Sequence, residues 1–443
     1  MDPRYQSAAE LGRAIGDGRL DPVELAQTFL DAMDNEDGER QIYARTTRKR
    51  AIAQAQAARE RARSGARRSA LDGVPVSWKD LFDIAGTQAE SGTLLLKGRT
   101  PQHDCRVARF GEEAGLVCLG KTHQTEFAFS GLGVNPVTAT PPNRGLPGHA
   151  PGGSSSGAAA SLTHGLAALA IGSDTGGSVR IPAAWNNLVG LKTSQGLLSN
   201  DGVIPLCSSF DTVGPLARTV EDAALALGAL GGGRVALDPV ALGELVFIIP
   251  DGVLFDQCDA QVARAFENAT QRLRKAGARI VEAKMPLVSE MLALGPSLFP
   301  YEAWQAWGEA IEKDGALMYP PVRDRFRQGK SVSRESFAEA WLKMLRLRDA
   351  FASQRKESEV LLYPTVAILP PEVAALEADA AYFTERNLLA LRNTRFVNIL
   401  GGCALTLPLP ETACAIQLAM SGGNDWNLLR AGLSVEKTVA ANS

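Results

Sequence analysis

Between Pro151 and Pro182 the chain carries two glycine–serine turns, Gly152-Gly153-Ser154-Ser155-Ser156-Gly157 and Ser173-Asp174-Thr175-Gly176-Gly177-Ser178. Glycines flanking serines open backbone conformations closed to other residues and leave several N–H groups free to point at one spot. A hydroxyl presented beside such donors meets what acyl transfer asks of a nucleophile and its oxyanion site. Upstream, Val74-Pro75-Val76-Ser77-Trp78-Lys79-Asp80 sets a lysine among apolar residues. Serine needs a base, and burial lowers the pKa of a lysine from its solvated value of about 10.4 far enough to supply one. Of the four histidines (His103, His123, His149, His164), none stands beside the two turns in a way that predicts a triad. The reading is a serine hydrolase whose base is not histidine.

Composition narrows the alternatives. The 443 residues exceed the usual single-domain range, so length alone suggests two or three domains. A net charge of -3 gives no basic excess, which argues against direct binding to nucleic acid or an anionic membrane. No apolar run approaches the roughly 20 residues of a membrane helix. Met1-Asp2-Pro3-Arg4-Tyr5 lacks a secretory apolar core, so a cytoplasmic protein is expected. The six cysteines show no Cys-x-x-Cys spacing and read as buried thiols, with no metal or cofactor expected.

Along the chain, Asp21-Pro22-Val23-Glu24 reads as a helix start and residues 46–63 as a helix ended by Gly65. Short apolar runs then alternate with glycine turns and alanine-rich helices: 107–114 helix, 116–119 strand, 157–165 helix. Beyond Gly231-Gly232-Gly233, a candidate linker, the same alternation resumes with strands near 245–249 and 279–281 around a helix over 260–275. Residues 286–356 differ, being mostly helical with a cluster of Phe299, Tyr301, Trp304 and Trp307. Strand character returns at 360–363 and 403–407. The expectation is an α/β core with a largely internal sheet in one domain spanning 1–443: an N-terminal helical segment (1–70), the core (71–230) and a helical insertion (286–356).

The residues from Pro151 to Pro182, with Lys79-Asp80 upstream, resemble the signature of the amidase signature family, including the spacing between Ser154 and Ser178. The resemblance continues more weakly through Gly190-Leu191-Lys192-Thr193, Asp211-Thr212-Val213-Gly214-Pro215 and Leu405-Thr406-Leu407-Pro408. It implies an α/β fold with a large mixed β-sheet core covered by helices on both faces, and a helical insertion in the C-terminal half. By position it implies Ser178 as nucleophile, Ser154 as a bridging serine in a cis peptide after Gly153, and Lys79 as the base acting through Ser154. The N–H groups of Thr175, Gly176, Gly177 and Ser178 are the implied oxyanion hole. Ser130, Gly131, Ser154 and Thr175 are the implied substrate contacts. Ser155 is expected to hydrogen-bond behind the site, Ser156 to cap the following helix, and Asp174 and Arg180 to form a buried ion pair. Ala158, Ser173 and His149 depart from the family pattern.

Two other signals are discounted. Gly115-Leu116-Val117-Cys118-Leu119-Gly120-Lys121-Thr122 fits the phosphate-loop pattern by letter, but its apolar centre reads as a strand. His123 and Glu126 lack a third metal ligand. The implied activity is hydrolysis of a small carboxamide. The alternative within the same resemblance is the glutaminase-type subunit of an aminoacyl-tRNA amidotransferase, which needs a partner to bind tRNA. No direct contact with nucleic acid or membrane is expected, and a homodimer is a common assembly for enzymes of this size.

Overall fold

The computed structural model of the chain describes residues 2–37, 40–233, 236–356 and 358–440. Its strands are β1 (Tyr43–Thr46), β2 (Pro75–Lys79), β3 (Val117–Thr122), β4 (Leu169–Ser173), β5 (Val189–Lys192), β6 (Val213–Ala217), β7 (Val246–Pro250), β8 (Arg279–Ala283), β9 (Glu359–Pro364), β10 (Cys403–Pro408) and β11 (Ala415–Met420). They form one sheet in the order β1-β3-β2-β4-β6-β5-β10-β11-β9-β7-β8. Pairing is parallel for β2 with β3 and β4, and for β7 with β8 and β9; the other pairs are antiparallel.

Successive strand residues point to opposite faces. Every residue of β2, β3, β4, β5, β6 and β11 is nonetheless buried, so both faces of the central sheet are covered. Strands covered on both faces tend to read as apolar runs, the pattern seen at 116–119, although β2, β5 and β11 also bury Ser77, Lys79, Lys192 and Gln417. Only the edge strand β8 is largely open to solvent. Strands on both sides of Gly231-Gly232-Gly233 hydrogen-bond into this sheet.

Local signals account for the helix starts. The helix Pro22–Glu36 begins where Asp21 accepts the Val23 N–H at 2.7 Å, with proline in the first turn. The helix Arg48–Arg63 gives way to Gly65 at φ +70°. Between β8 and β9 run the helices Pro286–Leu292, Gly295–Asp314, Pro320–Gln328 and Arg334–Ser353. The helices Ala380–Leu400 and Asp425–Ala440 complete the C-terminal part. No helix among the described residues is long and apolar enough to cross a membrane.

The segment that mimics a phosphate loop is the buried strand β3 with its approach. Lys121 Nζ lies 3.1 Å from Asp80 Oδ1 inside the protein, so it has no phosphate to meet there. All six cysteines are free, and five of them are buried.

Candidate active site

Parallel pairing of β2 with β4 brings their carboxyl ends to the same edge of the sheet, a common location for sites in α/β folds. Lys79 is the last residue of β2 and Ser173 the last of β4. Lys79 is fully buried, and its Nζ donates to Ser154 Oγ at 2.7 Å and to Ser173 Oγ at 2.8 Å. Burial lowers its pKa to about 7, while the negative charges of Asp174 and Asp211 pull part of the way back. An amine held between two hydroxyls, with no carboxylate bonded to it, is a proton acceptor near neutral pH.

The first glycine turn supplies Ser154. The Gly153–Ser154 peptide is cis, as the resemblance implies. Gly152 adopts φ +76°, and a Cβ there would meet the Pro182 backbone at 2.7 Å, so the two turns touch through backbone that no side chain separates. The Ser155 N–H donates to the Ser178 carbonyl at 3.2 Å, and Ser155 Oγ lies 3.3 Å from the Ser173 carbonyl, which ties the turns together again. One expectation is corrected here. Ser156 does not cap the next helix: it is the first residue of the helix Ser156–Thr163, Ser155 holds the cap position without a side-chain bond, and Ser156 Oγ is buried with no partner among the described residues.

The second turn runs from the end of β4 into the short helix Arg180–Trp185. Asp174 organises it. Its carboxylate accepts from the N–H groups of Gly177 (2.8 Å) and Val179 (3.1 Å) and from Asn398 Nδ2 (2.9 Å). It also forms a fully buried ion pair with Arg180 at 2.9 Å. Burial alone would raise the Asp174 pKa, but Arg180 holds it well below the usual carboxylate range. Arg180 also donates to Gln417 Oε1 (2.8 Å), Asn398 Oδ1 (2.6 Å) and the Thr394 carbonyl (2.8 Å). Removing one partner of a fully buried pair leaves an uncompensated charge, at a cost of about 3–5 kcal/mol. Asp174→Ala is therefore expected to lower the unfolding free energy by about that amount in a urea titration; a loss below about 1 kcal/mol would show that the pair does not hold the turn.

Of the four N–H groups implied as an oxyanion hole, that of Gly177 is taken by Asp174. Those of Thr175, Gly176 and Ser178 have no protein acceptor among the described residues. Gly177 has φ +138°, and a Cβ there would meet Thr394 Oγ1 at 2.1 Å, so only glycine fits. Thr175 Oγ1 donates to Asp211, whose burial raises its pKa to about 6. Ser178 Oγ makes no hydrogen bond among the described residues, and Ser178 lines a small cavity together with Ser130, Thr175, Gly176, Phe299 and Leu391. The hydroxyls of Ser154 and Ser178 are not hydrogen-bonded to each other in this structure.

Ser130 Oγ donates to Asn387 Oδ1 at 3.1 Å, and Gly131 donates its N–H to the same oxygen at 2.8 Å. Gly131 therefore shapes the floor, while Ser130 reaches the cavity itself. Of the aromatic cluster read in the sequence, Phe299 lines the cavity; Trp307 instead packs on Phe127 (4.5 Å between centroids) and donates to the Pro205 carbonyl. His123 and Glu126 point to different partners, the Arg40 carbonyl and Thr93 with the Tyr319 N–H, and no metal-binding cluster occurs among the described residues. The sequence reading gave no site role to Ser173 and Asp211, though both stand in segments it quoted, and it missed Thr394, Asn398 and Gln417; all five are buried around the turns.

The family model described as Amidase matches residues 24–435. The chain belongs to the amidase family. A 2-amino-5-chloromuconic acid deaminase from Comamonas testosteroni is 39% identical over 76% of this chain and 75% of that one. A glutamyl-tRNA(Gln) amidotransferase subunit from Marinobacter nauticus (strain ATCC 700491 / DSM 11845 / VT8) is 35% identical over 67% of this chain and 65% of its own. A crystal structure of an amidase superposes with a TM-score of 0.89 at 27% identity, covering 98% of this chain and all of that one. This amidase is thus a hydrolase of amide C–N bonds on an amidase signature fold, with Lys79 closing β2, the second glycine–serine turn following β4, and Ser154 of the first turn bonded to Lys79.

Proposed function

We propose that the protein hydrolyses a small carboxamide to its carboxylic acid and ammonia through an acyl-enzyme on Ser178, with Lys79 as the base acting through Ser154. The observation that carries this reading is the buried Lys79 amine, 2.7 Å from Ser154 Oγ and depressed to a pKa of about 7. Uncharged Lys79 takes the Ser154 proton as Ser154 takes that of Ser178, and Ser178 Oγ forms a bond to the amide carbon. Negative charge collects on the carbonyl oxygen, within reach of the Thr175, Gly176 and Ser178 N–H groups. The proton then returns through Ser154 to the nitrogen, the C–N bond breaks and ammonia leaves. Water repeats the relay on the ester, which frees the acid and restores Ser178. A rotation of the Ser178 side chain between staggered positions closes the missing Ser154–Ser178 bond once substrate is bound.

The test is ammonia release by the purified chain from a panel of aliphatic and aryl amides, indole-acetamide, malonamate, urea derivatives and glutamine. Turnover of at least one simple amide without any partner protein is expected. The similarity to a glutamyl-tRNA(Gln) amidotransferase favours a second reading, a glutaminase half of a larger complex. Ammonia release from glutamine alone, and only with a co-purified partner, would replace the first reading by the second.

A further inference from the structure

Two guanidinium groups face the cavity beside Ser178 with nothing to neutralise them. Arg325, on the helix Pro320–Gln328, and Arg395, on the helix Ala380–Leu400, both line it. Among the described residues neither side chain makes an ion pair or a hydrogen bond. Arg325 Nη1 and Arg395 Nη2 are out of solvent and without a partner. No Asp or Glu lines this cavity. What the guanidiniums do touch is aromatic: Arg325 lies 4.3 Å from the centroid of the Phe129 ring and Arg395 5.7 Å from that of Phe299. Ring faces hold a cation in place, but they do not cancel its charge.

The contrast with Arg180 is informative. That guanidinium, fully buried where Arg325 and Arg395 each keep part of their surface open, has Asp174, Asn398, Gln417 and a carbonyl around it. Buried charge is tolerated where it is paired, and an unpaired buried charge costs free energy. Burial accordingly pulls Arg325 down to about 9, with the charge of Arg395 adding to the effect, and pulls Arg395 down to about 10. Two such groups converging on one small space lack an anion with several acceptor sites.

We propose that Arg325 and Arg395 form a carboxylate-binding subsite, and that the substrate is an anionic carboxamide, the monoamide of a short dicarboxylic acid. Its amide lies at Ser178 and its free carboxylate on the two guanidiniums. The substrate assignment rests on the amide-hydrolase reading above; the subsite does not. A carboxylate offers about four lone-pair sites on two oxygens, enough to serve two planar forks at once. Glutamine also carries a carboxylate for the two guanidiniums, but its α-ammonium finds no Asp or Glu among the residues lining the cavity.

Binding is tested apart from turnover. Calorimetric titration of the full chain with malonate, succinate, fumarate and glutarate is expected to give a micromolar Kd for at least one. Arg325→Gln and Arg395→Gln are each expected to weaken that Kd by about 10- to 100-fold, and Arg325→Lys, which keeps the charge and loses the fork, to weaken it less. Binding by none of the four acids, or equal binding by both glutamine variants, overturns the subsite. The unmodified protein gives a second measurement that needs no variant to fold. The monoamide of the tightest-binding acid is expected to exceed the uncharged primary amide of equal length in kcat/KM by about 100-fold, and equal rates overturn the substrate assignment. Arginine-dependent binding of a diacid without hydrolysis of any amide would leave the subsite standing and remove the hydrolase reading instead.

Discussion

Ser178→Ala is expected to lower kcat by at least about 10⁴-fold for every amide the protein turns over, because the acyl bond then has no oxygen to form on. The fold should be unaffected. Ser178 Oγ makes no hydrogen bond among the described residues, and its removal leaves the Asp174–Arg180 network whole. Circular dichroism and a melting temperature within a few degrees of wild type would show this. The effect should fall on kcat, since the backbone donors and the cavity remain. Turnover within about tenfold of wild type would remove Ser178 as nucleophile.

The second large effect is expected at Lys79. Lys79→Met fills the same volume without an amine and should reduce kcat by about 10²- to 10⁴-fold, the range of a lost general base. The pH profile separates a base from a merely structural residue. Below about 7 the Lys79 amine is protonated and accepts nothing, so wild-type kcat/KM should rise with pH through that value and level off above it. The methionine variant should lose this limb. A wild-type rise only near pH 10 would mean the amine titrates as if in water, and the burial argument would fail.

The parts of the site that are contiguous in sequence were legible, and those assembled from afar were not. Lys79, Ser154 and Ser178 sit in short segments whose glycines and spacing carry meaning by themselves. The sheet's interior was readable where a strand buried on both faces is an unbroken apolar run. β5 and β6 escaped notice because they hold glycine, lysine or proline among few apolar residues, and pairing within the sheet overrides that weak local preference. The helix Ala380–Leu400 carried a usable signal that went unread. Asn387, Leu391, Thr394 and Asn398 recur at helical spacing, so one face presents polar groups to the site. Arg325 was hidden in Val322-Arg323-Asp324-Arg325-Phe326-Arg327, which looks like a solvated basic face. Arg323 and Arg327 do lie near Asp324, whereas Arg325 turns inward with Val322 and Phe326.

The tether on Arg180 has a consequence for how the protein comes to life on the ribosome. The groups that hold this arginine, Thr394, Asn398 and Gln417, follow it by more than two hundred positions, although the second glycine–serine turn itself emerges early in synthesis. Closing so long a loop is slow, and the contacts that reward it come last. A nascent chain halted before β11 holds its serine and lysine but has no Gln417 to fix Arg180. A chain ending before β11 is therefore expected to hold Arg180 less firmly, whatever its serine and lysine.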